Sequence, residues 1–198
     1  MTLSELEKNL DVKFPEKFHE IYETGAMEWI EAGNKKFNEN RERYLNDPKA
    51  FLMLSCDCEP LFFEDIPNAI EELNEYLKYR KEYNNEELDG KYRLIPFGIW
   101  GNGDKYCFLY EDNISEPSVV LYFNDCYDNP DIIGRNFDEF LYTVLLSIMY
   151  DEEIESEQWK NNIDFLLPEY KSMIVGKNAD ELNEIYESII FEEAEIFS

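Results

Sequence analysis

The sequence predicts an α+β fold in which an antiparallel twisted sheet is flanked by helices and followed by a C-terminal helical extension. Three observations carry that expectation. Apolar residues recur at helical spacing at the start of the chain, after Asp65 and again from Phe137. Between Tyr92 and Phe123 the pattern changes to short aromatic and β-branched runs separated by Gly/Asn-rich and Asp/Asn/Pro-rich turns. Links that short favour antiparallel pairing, and helices grouped on either side of a run of strands define the α+β class.

The elements follow in order. Thr2 and Glu5 have the spacing of a capping box ahead of Leu3, Leu6 and Leu10, and Phe14-Pro15 interrupts that first helix. Pro15 suits the first position of a second helix carrying Phe18, Ile21 and Tyr22 on one face, with Gly25 as its stop. Trp29, Ile30, Phe37, Tyr44 and Leu45 suggest a further helix ending at Asn46-Asp47-Pro48, and Phe51 to Leu54 reads as a short strand. Asp65 is placed to cap a long helix with Ile66, Ile70, Leu73, Tyr76 and Leu77, fading near Tyr83. A polar loop from Asn84 to Gly90 leads into three strands: Tyr92 to Phe97, Lys105 to Tyr110 and Ser118 to Phe123. Asn136 and Glu139 open a helix whose stripe is Phe137, Phe140, Leu141, Val144, Leu145 and Ile148, suited to cover one sheet face. Of Tyr106 and Phe108, one is expected to face the core and one the solvent. Ile154 to Leu167 and Ala179 to Phe191 are amphipathic and read as helices.

The 198 residues suit one domain, residues 1–150, with residues 151–198 as an acidic extension packed on it. With 44% hydrophobic and 16% aromatic residues the chain has ample core material. Its 45 acidic against 18 basic residues leave a net charge of −27, of which the extension, with 14 acidic and 3 basic residues, carries −11. Such a charge repels phosphate backbones and anionic headgroups and attracts basic proteins. The start of the chain has no basic, apolar leader pattern, and no run approaches the ~18 apolar residues of a span, so a soluble cytoplasmic protein is expected.

Chemistry-bearing motifs are few. Cys56 and Cys58 form a C-x-C with no second pair to complete a zinc site, and Cys107 and Cys126 read as small hydrophobes. The single histidine, His19, is expected on the solvated side of the second helix with no special role. Gly98 to Gly103 lacks the spacing of a phosphate loop, and Asp125, Asp128, Asn129 and Asp131 lack that of a calcium loop and suit a turn. A carboxylate pair acting as acid and base stays open, because one dimension cannot select two of the 45 acids. Neither a cofactor nor a metal is expected. In Leu94 to Phe108, Asn102-Gly103 can adopt the positive φ of a tight turn and Asp104 can bind nearby turn amides.

Four blocks resemble the SUKH superfamily in its Smi/Knr-type branch, made up largely of bacterial immunity proteins and including fungal cell-wall-synthesis regulators. They are the opening helix pair with Phe14-Pro15-Glu16-Lys17-Phe18; Ile95-Pro96-Phe97-Gly98 through Gly101-Asn102-Gly103-Asp104 with Tyr106 and Phe108; Val119-Val120-Leu121-Tyr122; and Phe137-Asp138-Glu139-Phe140-Leu141. The charged insertion at 26–48 and the acidic extension after Tyr150 depart from the pattern. The resemblance implies a SUKH-like fold without catalytic residues that binds and neutralises a cognate polymorphic toxin, commonly a nuclease. An acidic surface complements the Lys and Arg of a nucleic-acid-binding cleft independently of the resemblance. The alternative the family suggests is a regulatory scaffold that binds a host protein without a toxin. Trp100, Asn102, Asp104, Tyr106, Asp125 and Asp128 are the candidate partner-binding residues, as exposed aromatics flanked by polar and acidic groups.

Overall fold

Thr2 and Glu5 close a reciprocal capping box at the start of α1 (Leu3–Leu10) in the computed structural model of the chain, which describes residues 2–23, 59–101, 103–124, 128–149 and 162–198. The Glu5 amide donates to Thr2 Oγ1 at 3.2 Å and the Thr2 amide to Glu5 Oε2 at 2.7 Å, satisfying two otherwise orphaned donors. Pro15 stands just ahead of α2 (Glu16–Glu23), not inside it, and its carbonyl accepts from the Phe18 and His19 amides. The stop expected at Gly25, the helix expected within 26–48 and the strand expected at 51–54 lie outside the described residues.

After β1 (Glu59–Pro60), Asp65 precedes α3 (Ile66–Asn84) without a side-chain capping bond. Pro67 in the first turn has no N–H to satisfy, which lowers the need for a cap there. The three expected strands are present as β2 (Tyr92–Ile99), β3 (Lys105–Glu111) and β4 (Ser118–Tyr122), with β5 (Asp131–Gly134) next. α4 (Phe137–Met149) starts where expected, and Asn136 Oδ1 accepts the Glu139 amide at 2.9 Å. The Glu139 carboxylate reaches one residue further back than a capping box requires, to the Arg135 amide at 2.6 Å.

Of the helix expected from Ile154 to Leu167, residues 154–161 lie outside the described residues and the rest holds only a short 3₁₀ turn (Asn162–Phe165); α5 (Pro168–Ile174) and α6 (Ala179–Glu187) follow. The helix expected to reach Phe191 ends at Glu187; the chain then extends and contributes β6 (Glu192–Glu193). Ile189, Ile190 and Phe191 suit an extended chain as well as a helix, and β5 offers a ladder of unpaired backbone groups to the returning segment.

Among the described residues, the six strands form one antiparallel sheet in chain order. Side chains two residues apart on a strand share a face, so Tyr106 and Phe108 point the same way and both are buried, against the expectation that one would meet solvent. With Ile95, Phe97, Val119 and Leu121 they pack on Leu6, Phe14 and Phe18 and on Phe137, Phe140 and Leu141 of α4. Each fully buried Phe contributes roughly 1.5–3 kcal/mol. The opposite face is covered too: Leu94, Cys107, Leu109, Val120 and Tyr122 lie against Leu73 of α3 and against Ala194 and Ile196 of the C-terminal segment. Pro96, which cannot donate to a ladder, sits where the β2–β3 register slips to admit Phe97 as an extra residue.

The last residues strap the second face. Asp131 pairs with Glu193 in the sheet, and Ser198 and Glu87 exchange two backbone hydrogen bonds of 2.9 Å. Buried Arg80 of α3 joins this end together: its guanidinium lies 3.7 Å from the Phe197 ring centroid and donates to Glu86 and to the Asp128 carbonyl, each at 2.9 Å.

Two predictions follow from this packing. A Cβ added at Gly134 would lie 2.5 Å from the Phe140 amide nitrogen and 2.8 Å from the Asn136 carbonyl, both backbone atoms that cannot swing away. Gly134→Ala is expected to cost about 1–3 kcal/mol by urea unfolding, whereas Gly90→Ala, whose Cβ meets nothing within 4 Å, changes little. Loss of water on burial, then Glu193 and Asp128, hold the Asp131 carboxyl above the ordinary aspartate range. A carboxyl raised in the folded state binds its proton more tightly there, so its stabilising contribution is present at low pH and is lost as pH rises through the raised value. Asp131→Asn is therefore expected to add a few tenths of a kcal/mol at neutral pH, screened by salt, and nothing below about pH 4 in the same unfolding assay.

Candidate functional site

The turn between β2 and β3 is built by its own backbone and by β4. Trp100 donates its amide to the Asp104 carbonyl and Gly103 donates to the Trp100 carbonyl, both at 2.7 Å. Gly103 has φ of 95°, a conformation side-chain-bearing residues avoid. Asp104 was expected to bind nearby turn amides; its Oδ1 accepts the Asn124 amide at 2.8 Å, just past β4, and the Asn124 side-chain amide donates to the Gly103 carbonyl. The turn is thus latched to the neighbouring strand end. Lys105, also buried, places Nζ 3.1 Å from Glu72 of α3 and fixes the turn to that helix.

This geometry redistributes the candidate partner-binding residues. Asp104 is 2% and Tyr106 7% exposed, so neither is presented to a partner; one holds the turn and the other packs on Phe140 at 5.5 Å between centroids. Trp100 is half-buried against the core, and Asp128 is exposed with its carbonyl engaged by Arg80. Asn102 and Asp125 lie outside the described residues. In one of the four blocks that carry the family resemblance, Asp104 and Gly103 hold the turn to the end of β4.

His19 also differs from expectation. It is half-buried, with Nε2 2.8 Å from Glu7 Oε1, and the same oxygen accepts the Phe14 amide at 2.8 Å. A histidine that joins α1 to α2 in this way is a packing element. Burial pushes the Cys107 thiol up, with Lys105 opposing, and the side chain is fully buried in the second core cluster. Among the described residues no three His, Cys, Asp or Glu side chains converge as metal ligands would. A broad open depression of about 870 Å³ is lined by His19 together with Glu16, Lys17, Glu20, Glu23, Asp138 and Leu167. Burial raises the Asp138 carboxyl there and Lys17 opposes it, while Lys17 itself pairs with Glu20 at 2.5 Å.

The exposed aromatic surface lies elsewhere. Tyr76, Tyr79 and Tyr83 of α3 are 38%, 58% and 74% exposed, and the last two rings stack with centroids 6.2 Å apart. Tyr76 was named with Ile66, Ile70, Leu73 and Leu77 as a residue of this helix, but the buried residues of α3 are Ile66, Ala69, Leu73 and Arg80. The i, i+3, i+7 spacing of the three tyrosines was the signal available in the sequence, because it defines a second stripe beside the core stripe.

The architecture defines an α+β domain with a latched hairpin turn and a sheet covered on both faces. The chain belongs to the SMI1/KNR4 family (SUKH-1), whose model matches residues 2–143, from the first capping residue into α4. Neither curated proteins nor solved structures give a match. No helix among the described residues is long and apolar enough to cross a membrane.

Removing the latch is expected to weaken the fold. Asp104→Ala leaves the half-buried Asn124 amide without this acceptor and should cost about 1 kcal/mol, read as a lowered urea midpoint with the unfolding slope unchanged.

Proposed function

We propose that this chain is a non-enzymatic immunity protein that binds a cognate protein toxin, a basic nuclease domain, and neutralises it by covering its active cleft. The family match over residues 2–143 carries this reading, since membership supports an immunity-type role exercised on a protein partner. The net charge of −27 supports the basic character of that partner. Carboxylates spread over the surface steer a cationic cleft into encounter and disfavour neutral or acidic competitors. Residues 151–198 act with residues 1–150 as one binding unit; the pairing of β6 with β5 and the burial of Ala194 and Ile196 support that arrangement.

Coexpression with each candidate toxin domain encoded at the same locus tests the proposal. Growth rescue is expected, together with binding of the purified proteins that weakens as salt rises from about 0.05 to about 0.5 M, where the Debye length shrinks severalfold. Absence of both rescue and binding would overturn it.

A further inference from the structure

We propose that the tyrosine face of α3 is the docking surface for an arginine-rich surface of the protein partner; this rests on the binding role proposed above and names where that binding occurs.

Eight large apolar or aromatic side chains are exposed among the described residues, and three of them are Tyr76, Tyr79 and Tyr83 on this one helix. They form a single stripe, because positions i, i+3 and i+7 lie within about one sixth of a turn of each other at 3.6 residues per turn. The stripe is not needed by the core, which α3 serves through Ile66, Ala69, Leu73 and Arg80. Two of its rings are already stacked on each other, so a partner meets a pre-ordered aromatic surface and loses less entropy on docking.

Charge selects the occupant. The cations of α3 are engaged by carboxylates of the chain itself: Lys78 with Glu82 at 3.8 Å, Arg80 with Glu86 at 2.8 Å and Lys81 with Glu87 at 2.7 Å. Glu72 is taken by Lys105, whereas Glu75 stands one turn before Tyr79 and is exposed beside the stripe. A guanidinium matches both parts, stacking its plane on a phenol ring while its N–H fork meets a carboxylate. An ammonium meets the carboxylate but stacks poorly. A second copy of this chain is disfavoured, since each copy carries a net charge of −27. Nucleic acid and anionic membrane are repelled for the same reason.

The test uses the full chain and two probes. With a nona-arginine peptide, Tyr79→Ala/Tyr83→Ala is expected to weaken binding about tenfold although no charge changes, and Tyr79→Phe/Tyr83→Phe to retain it. Glu75→Gln should weaken it less, and a nona-lysine peptide should bind more weakly and be indifferent to the tyrosine changes. Thermal midpoints should stay unchanged, because the substituted rings are exposed. Equal binding of the arginine peptide by wild type and the alanine variant would overturn the proposal, showing diffuse charge attraction only. In the toxin coexpression assay, rescue by wild type but not by the alanine variant is expected. Rescue by both with equal affinity would overturn this surface and leave the immunity reading standing. Failure of wild type would overturn the immunity reading, and the peptide measurement would still decide whether the face binds arginine.

Discussion

The packing of Phe18 against Phe108 is the contact on which the remaining structure depends. Phe108 stands in the middle of β3 and Phe18 on α2, their centroids 5.0 Å apart and their rings nearly perpendicular, the favourable edge-to-face arrangement. Phe14, Phe97 and Phe137 each touch both of these rings, at centroid separations from 4.3 to 5.8 Å. The α1–α2 link, two strands and the start of α4 are therefore positioned by one group of rigid side chains. Bringing Phe137 and Phe140 into that group draws the first turn of α4 onto the end of β5, which is why a residue without a Cβ stands at Gly134.

Once the first face of the sheet is closed, the second sets the demand on polar groups. Its cover comes from α3 and from the C-terminal segment, and the places where these meet the sheet bury charged side chains. Arg80 and Lys105 are accommodated because each has an anion or an aromatic face within reach: Glu86 and Phe197 for one, Glu72 for the other. A buried charge without such partners would cost several kcal/mol, so these contacts fix which loop lies against which helix end. Asp104 works in the same way at the far end of the strands, taking the Asn124 amide. The residues that look most chemical in the family block are thus occupied in holding strand ends together.

That occupation bears on how such a protein recognises a partner. Residues committed to the interior cannot vary with the partner without loss of stability, whereas exposed positions on α3 can change at little cost to the fold. Recognition through surface side chains grafted on an invariant scaffold is consistent with the separation of fold from function seen widely in proteins. The tyrosine stripe and the acidic exterior are features of the second kind.

Periodicity alone located α1, α2, α3, α4 and the three central strands to within a few residues, and the capping residues Thr2 and Asn136 were legible because their bonds are local. β1, β5 and β6 were not, since pairings of two to four residues leave no periodic trace. The misplacement of Asp104 and Tyr106 at a surface has one cause: whether a strand residue is buried depends on what covers its face, and a hairpin sequence does not contain that information. By itself the sequence determined the alternation of helix and strand, the α+β class, the acidic exterior and the family resemblance, all of which follow from local pattern or composition. Only the tertiary structure decided that both sheet faces are covered, that the last residues form a strand and a strap, and that Tyr76 lies outside the core, because each depends on segments far apart in the chain meeting in space.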